Sequence, residues 1–490
     1  MTPANLTAAV ALLLSCAASW AKESPVSSFV ACEITAANAT VALAAECTTV
    51  SLPENPDTPN GRRIELKVAR LPALGNQPAA DPLTFLAGGP GQAASEAFVT
   101  AQSAFTKIRQ HRDIYLVDQR GTGGSNALHC EKSAEQNDAT DFDPEAIEKS
   151  SRDCLDALPT DPRWYTTSVA VQDLELVRRT LGLKLWNIYG VSYGTRVALH
   201  YLRRHPEHVR AVILDAVVPP TVSLGANLAL DAERAFSLML DRCRTDTDCQ
   251  QRFPELGERT RELLAELREQ PRKITFENLK SGQLESINFT ADHLALTLRM
   301  MSYISHGTAL LPTMLHDAYA NDNLAPLARQ ASLQSSQLNT SIAHGMHHAV
   351  TCTEDIPYIE LTPALERAIE ATYLGLDSIR ALQTSCAPWP TGVLDEDFKE
   401  PVQSDRPVLI LSGEADPITP PAFGEVVAAT LPNSLHIVNP GQAHVQAWLG
   451  CTPSIMARFI DRANVDDIDF GCLERLEAPP FFIDSNGPTP

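Results

Sequence analysis

Short apolar runs alternate with helix-length segments over residues 60–220 and again after residue 400. Apolar runs bounded by turn residues are typical of buried strands, and in the segment 195–205 the apolar residues fall on one helical face. Strands that alternate with helices predict an α/β fold with a mainly parallel central sheet flanked by helices. The predicted strands are residues 63–71, 83–87, 114–118, 185–189, 209–214, 407–411 and 435–438.

Between residues 221 and 400 the pattern changes, because apolar runs give way to amphipathic stretches at 228–242, 258–269 and 291–305. Such stretches predict a mostly helical insertion, or cap, between two parts of the sheet domain. Residues 321–340, rich in Ala, Gln, Ser and Asn, are interpreted as a mobile loop. The predicted organisation is a signal peptide (1–21), a core in two parts (22–220 and 401–478), the cap (221–400) and a tail (479–490).

Charge and length exclude some classes of function. The chain has 490 residues and a formal net charge of −21. Since phosphate backbones bind to basic surfaces, this charge argues against a nucleic-acid partner. No long apolar run follows the N-terminal residues, so no transmembrane span is expected.

The N-terminus and the cysteines together predict export. Residues 7–18 are apolar and lead into small residues before Lys22, which is the pattern of a signal peptide, with a lipidated Cys16 as the alternative. Without Cys16 an even number of cysteines remains, which predicts disulfides and a periplasmic or extracellular location. No C-x-x-C pair is present, so no metal is expected. No organic cofactor is expected either. The simplest pairing joins sequence neighbours: Cys32 with Cys47, Cys130 with Cys154, Cys243 with Cys249, Cys352 with Cys386, and Cys451 with Cys472.

Ser192 carries the strongest functional signal. It lies in GVSYG (190–194), directly after an apolar run and directly before a helical segment. A G-x-S-x-G in this position is typical of a nucleophile elbow, a strained turn that exposes the serine hydroxyl. The sequence therefore predicts a serine hydrolase with Ser192 as its nucleophile.

A serine nucleophile needs a base, and the base needs an orienting acid. Asp416 follows the predicted strand 407–411 and His444 follows 435–438, so both come after the serine in the expected order. Asp215, after strand 209–214, is the alternative acid. Asp416 is preferred because the Gly and Pro residues around it favour an exposed loop that reaches the histidine.

Two backbone N–H groups are predicted to form an oxyanion hole. One belongs to Tyr193, and the other to Gly89 in AGGPG (87–91), where glycine allows close approach of the backbone. In DQRGTGGS (118–125), an ion pair between Asp118 and Arg120 is expected to shape the loop beside the site.

Five motifs resemble, in order, those of the proline iminopeptidase and tripeptidyl aminopeptidase family of α/β-hydrolase serine peptidases. They are AGGPG (87–91), DQRGTGGS (118–125), GVSYGTR (190–196), GEADPITP (413–420) and GQAH (441–444). The resemblance covers residues 60–475 and is strongest to the secreted tripeptidyl aminopeptidases. One departure is Ala87, where the family often has histidine.

The resemblance implies the α/β-hydrolase fold and a secreted exopeptidase that acts on peptides with a free N-terminus. In this family acidic cap residues bind the substrate amine, and the segment VTCTED (350–355) resembles the one that supplies them. Glu354, and after it Asp355, are the expected amine-binding residues, because a buried ammonium needs a carboxylate partner. The alternatives are a carboxylesterase or lipase with the same triad, and a catalytically silent binding protein on the same scaffold.

Overall fold

A computed structural model describes residues 28–36, 41–130, 143–279, 281–484 and 486–488. The predicted signal peptide and Cys16 lie outside the described residues. The strands are β1 (Val30–Thr35), β2 (Ala42–Pro53), β3 (Arg63–Leu71), β4 (Leu83–Leu86), β5 (Ile114–Val117), β6 (Trp186–Val191), β7 (Val209–Asp215), β8 (Arg272–Glu277), β9 (Leu284–Phe289), β10 (Val408–Gly413) and β11 (Ser434–Asn439). The α-helices are α1 (Ala94–Ala101), α2 (Thr106–Arg109), α3 (Pro144–Ala157), α4 (Thr167–Thr180), α5 (Tyr193–Arg204), α6 (Leu228–Thr245), α7 (Thr247–Arg252), α8 (Leu256–Glu269), α9 (Ala291–Met301), α10 (Ser305–Ala320), α11 (Ala325–Ser341), α12 (His344–Glu354), α13 (Pro363–Glu370), α14 (Asp377–Cys386), α15 (Pro421–Ala428) and α16 (Thr452–Arg462).

One large sheet organises the molecule, with the strand order β1-β2-β3-β5-β4-β6-β7-β10-β11. The pairs β1–β2, β2–β3 and β3–β5 are antiparallel, and all later neighbours, from β5–β4 to β10–β11, are parallel. The predicted α/β fold with a mainly parallel sheet is confirmed. β1 and β2 were not predicted, because their exposed and buried positions leave no continuous apolar run.

The two faces of the sheet carry separate hydrophobic clusters. In β10, Val408 and Ile410 belong to one cluster and Leu409 and Leu411 to the other, because successive side chains of a strand point to opposite faces. The first cluster packs against α4, α5 and α12, and the second packs against α1 and α16. The strand ends that carry the candidate residues are therefore held between two helical layers.

The insertion between β7 and β10 contains helices α6–α14 and the antiparallel hairpin β8–β9. The expectation of a mostly helical insertion is confirmed, although the hairpin was not predicted. Much of the insertion has its own core, to which Phe236, Leu298 and Leu315 belong. Helix α12 instead joins the sheet cluster through Met346 and Val350. The boundaries of the predicted domains stay predictions.

The mobile loop expected at 321–340 is wrong, since most of that segment is helix α11. Leu327, Ala328 and Ala331 are buried on one side of α11. These positions are spaced as one face of a helix, so tertiary packing stabilises a segment whose small polar composition had suggested a loop.

All five disulfides expected between sequence neighbours are present. Cys32–Cys47 joins β1 to β2, and Cys352–Cys386 joins α12 to α14. Within the described ranges, no helix has both the length and the apolar character needed to cross a bilayer.

Candidate active site

Ser192 lies in the turn between β6 and α5, with φ 53° and ψ −127°. A non-glycine residue with positive φ is strained, and such strain persists only where the surrounding structure enforces it. Here the turn is tightly enclosed. A Cβ atom on Gly190 would lie 2.5 Å from the carbonyl oxygen of Gly194, and one on Gly194 would lie 2.3 Å from that of Leu86. This is the geometry of a nucleophile elbow.

Asp416 and His444 meet beyond the ends of β10 and β11. His444 Nδ1 lies 2.7 Å from Asp416 Oδ2, and Asp416 Oδ1 accepts the backbone N–H groups of Ile418 and Thr419 at 3.0 and 2.9 Å. Burial opposes the charge on Asp416, but His444 and the hydrogen bonds from Thr419 together lower its pKa below the usual range. An ionised Asp416 orients the imidazole so that Nε2 is free to exchange a proton.

Thr419 is a further contact of this pair that sequence reasoning missed. Its hydroxyl donates to Asp416 Oδ2 at 2.7 Å and lies 3.2 Å from His444 Nδ1. The signal was the position of a threonine three residues after an aspartate in a turn, where side chain and backbone commonly bond locally.

The structure joins the predicted base to the predicted acid but does not join the base to the nucleophile. Among the described residues, the Ser192 hydroxyl forms no hydrogen bond to His444. Catalytic hydrogen bonds are often long in unliganded enzymes and tighten when substrate binds. Asp215 connects the nucleophile and the base indirectly. Its backbone carbonyl accepts the backbone N–H of Ser192 at 2.9 Å, and its carboxylate binds the loop that carries His444.

Asp215, the alternative acid, bonds to the same loop two and three residues after His444. It is fully buried at the end of β7. Its carboxylate accepts the Tyr189 hydroxyl at 2.8 Å and the backbone N–H groups of Gln446 and Ala447 at 2.8 and 2.9 Å. Because His444 bonds to Asp416 and not to Asp215, the geometry favours Asp416 as its partner.

The loop 87–91 lies beside the nucleophile. A Cβ atom on Gly88 would be 3.1 Å from Ser192 Cβ, so glycine permits this close approach. The next residue, Gly89, has φ 111°, a conformation that favours glycine. Tyr193 is the first residue of α5, where backbone N–H groups lack intrahelical acceptors. Tyr193 thus directly follows Ser192, and Gly89 directly follows the glycine that approaches it. The role of both as oxyanion donors stays a prediction.

The ion pair expected between Asp118 and Arg120 is wrong. Arg120 is fully buried and donates to both carboxylate oxygens of Asp173 in α4, at 2.5 and 2.7 Å. Asp118 instead accepts the backbone N–H and hydroxyl of Ser95, and lies 3.8 Å from Lys67. Asp118 and Arg120 thus each bond to a residue of another element, and these bonds hold the loop 118–125 to α1 and α4.

The two expected amine-binding carboxylates are both fully buried, and each already has partners within the protein. Glu354 accepts the backbone N–H and hydroxyl of Thr167 at 2.7 and 2.9 Å. Asp355 forms two hydrogen bonds with Arg196 of the elbow helix α5, at 3.2 and 2.9 Å. Burial raises the pKa of Glu354 to about 7, although Arg196 and Thr167 oppose this shift. Both carboxylates thus lie against Arg196 of α5, at 3.5 and 2.9 Å, and an amine-binding role for them stays a prediction.

The cap contacts the histidine loop directly, which the sequence pattern did not indicate. The carbonyl of Tyr303 accepts the backbone N–H of His444 at 3.2 Å, and the two rings pack edge to face. Ser305 accepts the N–H of Ala443 at 3.1 Å and donates to the Gln442 side chain at 3.0 Å.

The cap also contacts the acid loop. Arg234 of α6 donates to the backbone carbonyls of Glu414 and Asp416, both at 2.8 Å. One turn earlier in α6, Asp231 is half-buried, and its carboxylate forms no hydrogen bond or ion pair with any described residue. Burial raises the pKa of Asp231 to about 7, with Arg234 opposing and Asp416 adding to the shift. An acidic side chain without a partner therefore lies close to the candidate site.

In the part of the chain that the structure describes, one group of side chains has metal-ligand spacing: Glu175, His205 and His208, with ligand atoms within 4.8 Å of one another. Glu175 already accepts two hydrogen bonds from Arg178 and one from the Tyr201 hydroxyl. These bonds occupy the carboxylate, and the positive guanidinium beside it opposes cation binding.

The family model for the alpha/beta hydrolase fold matches residues 81–450. The chain belongs to the α/β-hydrolase family. The match includes the elbow at Ser192, the loops that carry Asp416 and His444, and the whole insertion between β7 and β10.

Curated relatives of this α/β-hydrolase have both esterase and peptidase names. Carboxylesterase B of Mycobacterium tuberculosis is 31% identical over 196 residues, 36% of this chain and 37% of the relative. Serine protease Hip1 of the same species is 30% identical over 190 residues, and tripeptidyl aminopeptidase of Streptomyces coelicolor 31% over 192, each covering 36% of both chains. The chain thus matches little more than a third of the length of these relatives. The names of the last two confirm the resemblance to the peptidase family drawn from the motifs.

Proposed function

We propose that this α/β-hydrolase is a serine exopeptidase that cleaves peptide bonds near free N-termini. The observation that carries the proposal is the 2.7 Å contact between His444 and Asp416. This pair is connected through Asp215 to the elbow where Ser192 has a strained backbone. Two relatives named as a serine protease and a tripeptidyl aminopeptidase support peptides as the substrate class.

In the proposed reaction, His444 Nε2 takes the proton of the Ser192 hydroxyl while Ser192 Oγ attacks the scissile carbonyl carbon. Asp416, held ionised by its hydrogen bonds, stabilises the imidazolium that results. The backbone N–H groups of Gly89 and Tyr193 receive the negative charge on the carbonyl oxygen.

Collapse of the tetrahedral intermediate breaks the C–N bond, and the imidazolium returns its proton to the leaving amine. His444 then takes a proton from water as the water oxygen attacks the acyl-enzyme carbonyl. The bond from that carbon to Ser192 Oγ breaks, the imidazolium returns its proton to Oγ, and the carboxylic acid is released. The proposed chemistry uses only these side chains, the two backbone N–H groups and water.

Labelling of Ser192 tests the nucleophile. An organophosphonate that reacts with activated serines should modify Ser192 once per chain, and the Ser192→Ala variant should neither be modified nor turn over substrate. Ser125 is a suitable control, because it is buried and bonded to the N–H of Lys67. Modification at any other residue, or turnover by the Ser192→Ala variant, would overturn the assignment.

A carboxylesterase is the second candidate, favoured by the relative of that name at the same identity. Hydrolysis rates on a substrate panel distinguish the aminopeptidase from the esterase. The panel contains mono-, di- and tripeptidyl anilides with free and acetylated N-termini, together with short-chain esters. An aminopeptidase should prefer unblocked anilides over their acetylated forms, whereas an esterase should hydrolyse only the esters at a useful rate. A chain that labels at Ser192 but turns over none of them would favour the silent binding protein.

Recognition of the substrate amine is the finer part of the proposal. Glu354 and Asp355 are expected from the family resemblance, but their carboxylates are already bonded to Thr167 and Arg196. Asp231 is half-buried and its carboxylate has no partner among the described residues, so it offers a negative charge without a competing bond. A substrate ammonium that pairs with Asp231 would also relieve the repulsion between Asp231 and Asp416.

Two isosteric variants separate these candidates. If Asp231 binds the amine, Asp231→Asn should raise KM for an unblocked tripeptidyl anilide by about tenfold or more and leave KM for the acetylated anilide or an ester unchanged. Glu354→Gln should then leave the ratio of the two KM values unchanged. The reverse result would assign the amine to Glu354.

Export is proposed on the basis of the disulfides. Five disulfides in the described residues fit an oxidising compartment, such as the periplasm or the medium. The predicted signal peptide would supply the route. Fractionation of cells that express the full chain tests this, and protein found only in the reducing cytosol would contradict it.

A further inference from the structure

Asp215 occupies a position between the two halves of the candidate site. It is the last residue of β7, where it pairs with Val191 of β6 on one side and with Leu411 of β10 on the other. β6 leads into the elbow and β10 leads into the loop of Asp416. Asp215 is fully buried, and no Lys, Arg or His of the described chain forms an ion pair with it.

The bonds of Asp215 explain why a lone carboxylate is retained in this interior position. Its two oxygens accept three hydrogen bonds, from the Tyr189 hydroxyl and from the backbone N–H groups of Gln446 and Ala447. Its own carbonyl accepts the N–H of Ser192. A buried carboxylate is costly unless donors surround it, and these are the donors available.

The loop that receives these bonds needs external support. Residues 440–449 follow β11 and form no helix or strand. Val445, directly after His444, has φ 69°, which is unfavourable for a β-branched residue. A strained backbone persists where neighbouring contacts determine it, and Asp215 binds the two residues that follow.

The charge of Asp215 is suited to this role near neutral pH. Burial raises its pKa to about 6, while the Tyr189 hydroxyl, the N–H groups of Gln446 and Ala447 and the nearby His444 oppose the shift. Above this value the group is a carboxylate, which only accepts hydrogen bonds and matches all three donors.

We propose that Asp215 is a positioning residue, which holds the backbone after His444 in register with the Ser192 elbow. Its carboxylate bonds to Gln446 and Ala447, and its backbone carbonyl bonds to Ser192. It acts through the backbone of the histidine loop and does not replace Asp416 as the partner of the imidazole. The kinetic part of this inference rests on the proposed hydrolase function.

The test compares Asp215→Asn with Tyr189→Phe. The asparagine keeps the shape of the side chain but turns an –NH₂ group toward one of its donors, so a backbone bond is lost. The phenylalanine removes only the hydroxyl bond and leaves both backbone bonds in place. We expect Asp215→Asn to lower kcat by about 100-fold with KM within about twofold of the wild type, since small misplacement of a catalytic group costs this much. Tyr189→Phe should stay within about threefold in kcat.

A second measurement does not depend on activity. Hydrogen–deuterium exchange of the peptide that contains residues 440–449 should quicken in Asp215→Asn and remain unchanged in Tyr189→Phe. If Asp215→Asn does not fold, Asp215→Ser, which keeps a small acceptor, replaces it in both measurements. Unchanged exchange and unchanged kcat in the Asp215 variant would overturn the inference. If exchange quickens while the wild type hydrolyses neither amides nor esters, the positioning role stands and the proposed function fails.

Discussion

Tyr303 packs edge-on against His444, with ring centroids 5.0 Å apart and ring planes at 65°. Tyr303 belongs to the turn between α9 and α10 of the insertion, and its carbonyl also accepts the His444 N–H. The insertion therefore contacts the candidate base through both ring and backbone. We therefore expect a displacement of this turn to displace the imidazole as well.

Removal of the Tyr303 ring should impair turnover. We expect Tyr303→Ala to lower kcat by about tenfold or more, because the imidazole loses the packing that sets its orientation. Tyr303→Phe is the matched control, since it keeps the ring and loses only the hydroxyl near Arg299. Steady-state kinetics on the best substrate of the panel measures both, and equal kcat values for the two variants would show that the ring contact does not matter.

The Thr419 hydroxyl should stabilise the charged carboxylate of Asp416. Thr419→Val removes its 2.7 Å bond to Asp416 but keeps the shape and both backbone N–H bonds to Oδ1. A hydrogen bond to a charged group contributes about 1.5–3 kcal/mol, so we expect kcat/KM to fall by about tenfold or more. Thr419→Ser retains a hydroxyl and should recover most of the activity. A valine variant as active as the serine variant would contradict the prediction.

Glu354 should make stability depend on pH. Its pKa is about 7 in the folded protein against an ordinary value of 4.5, so between these values the folded state binds more protons than the unfolded state. Stability from this group is complete below the ordinary value and is lost as pH rises through about 7. Glu354→Gln stays neutral, and its free energy of unfolding relative to the wild type should therefore increase between about pH 5 and pH 7.

Urea unfolding at several pH values measures this difference. Glu258→Gln is the control for the substitution itself, because Glu258 is exposed on α8, and the change with pH should be larger for Glu354→Gln. Asp215 and Asp231, whose pKa values burial also raises, are present in every protein compared and cancel. A constant difference for Glu354→Gln would show that the side chain titrates near its ordinary value.

The disulfides should differ in their contribution to the free energy of unfolding. Cys352–Cys386 closes 34 residues of chain, and on the chain-entropy account its loss through paired alanines should cost about 4 kcal/mol. Cys243–Cys249 closes only 6 residues, and its loss should cost about 2 kcal/mol. Chemical denaturation of the two double variants measures both values. A larger loss for the shorter loop would mean that local packing outweighs chain entropy here.

Local pattern determined much of this protein. The apolar runs located the parallel strands, and the residues that follow them, Asp416 and His444, meet because parallel strands deliver their carboxyl ends to one edge of a sheet. The glycines on either side of Ser192 indicated a turn too tight for side chains, and the structure has that turn. For the cysteines, the sequence offered pairing between neighbours as the simplest arrangement without fixing it, and the structure has that arrangement.

Tertiary structure decided which distant groups meet. Arg120 pairs with Asp173 rather than with Asp118, buried Glu354 bonds to Thr167, and the Tyr303 ring packs against His444. None of these contacts has a periodic signature, because each depends on where one helix or turn docks on another element. Hydrophobic spacing specifies the face that a helix buries. The partner of a buried charge is determined only when both elements are packed together, because the charge loses its hydration at that stage and needs a partner to offset the cost.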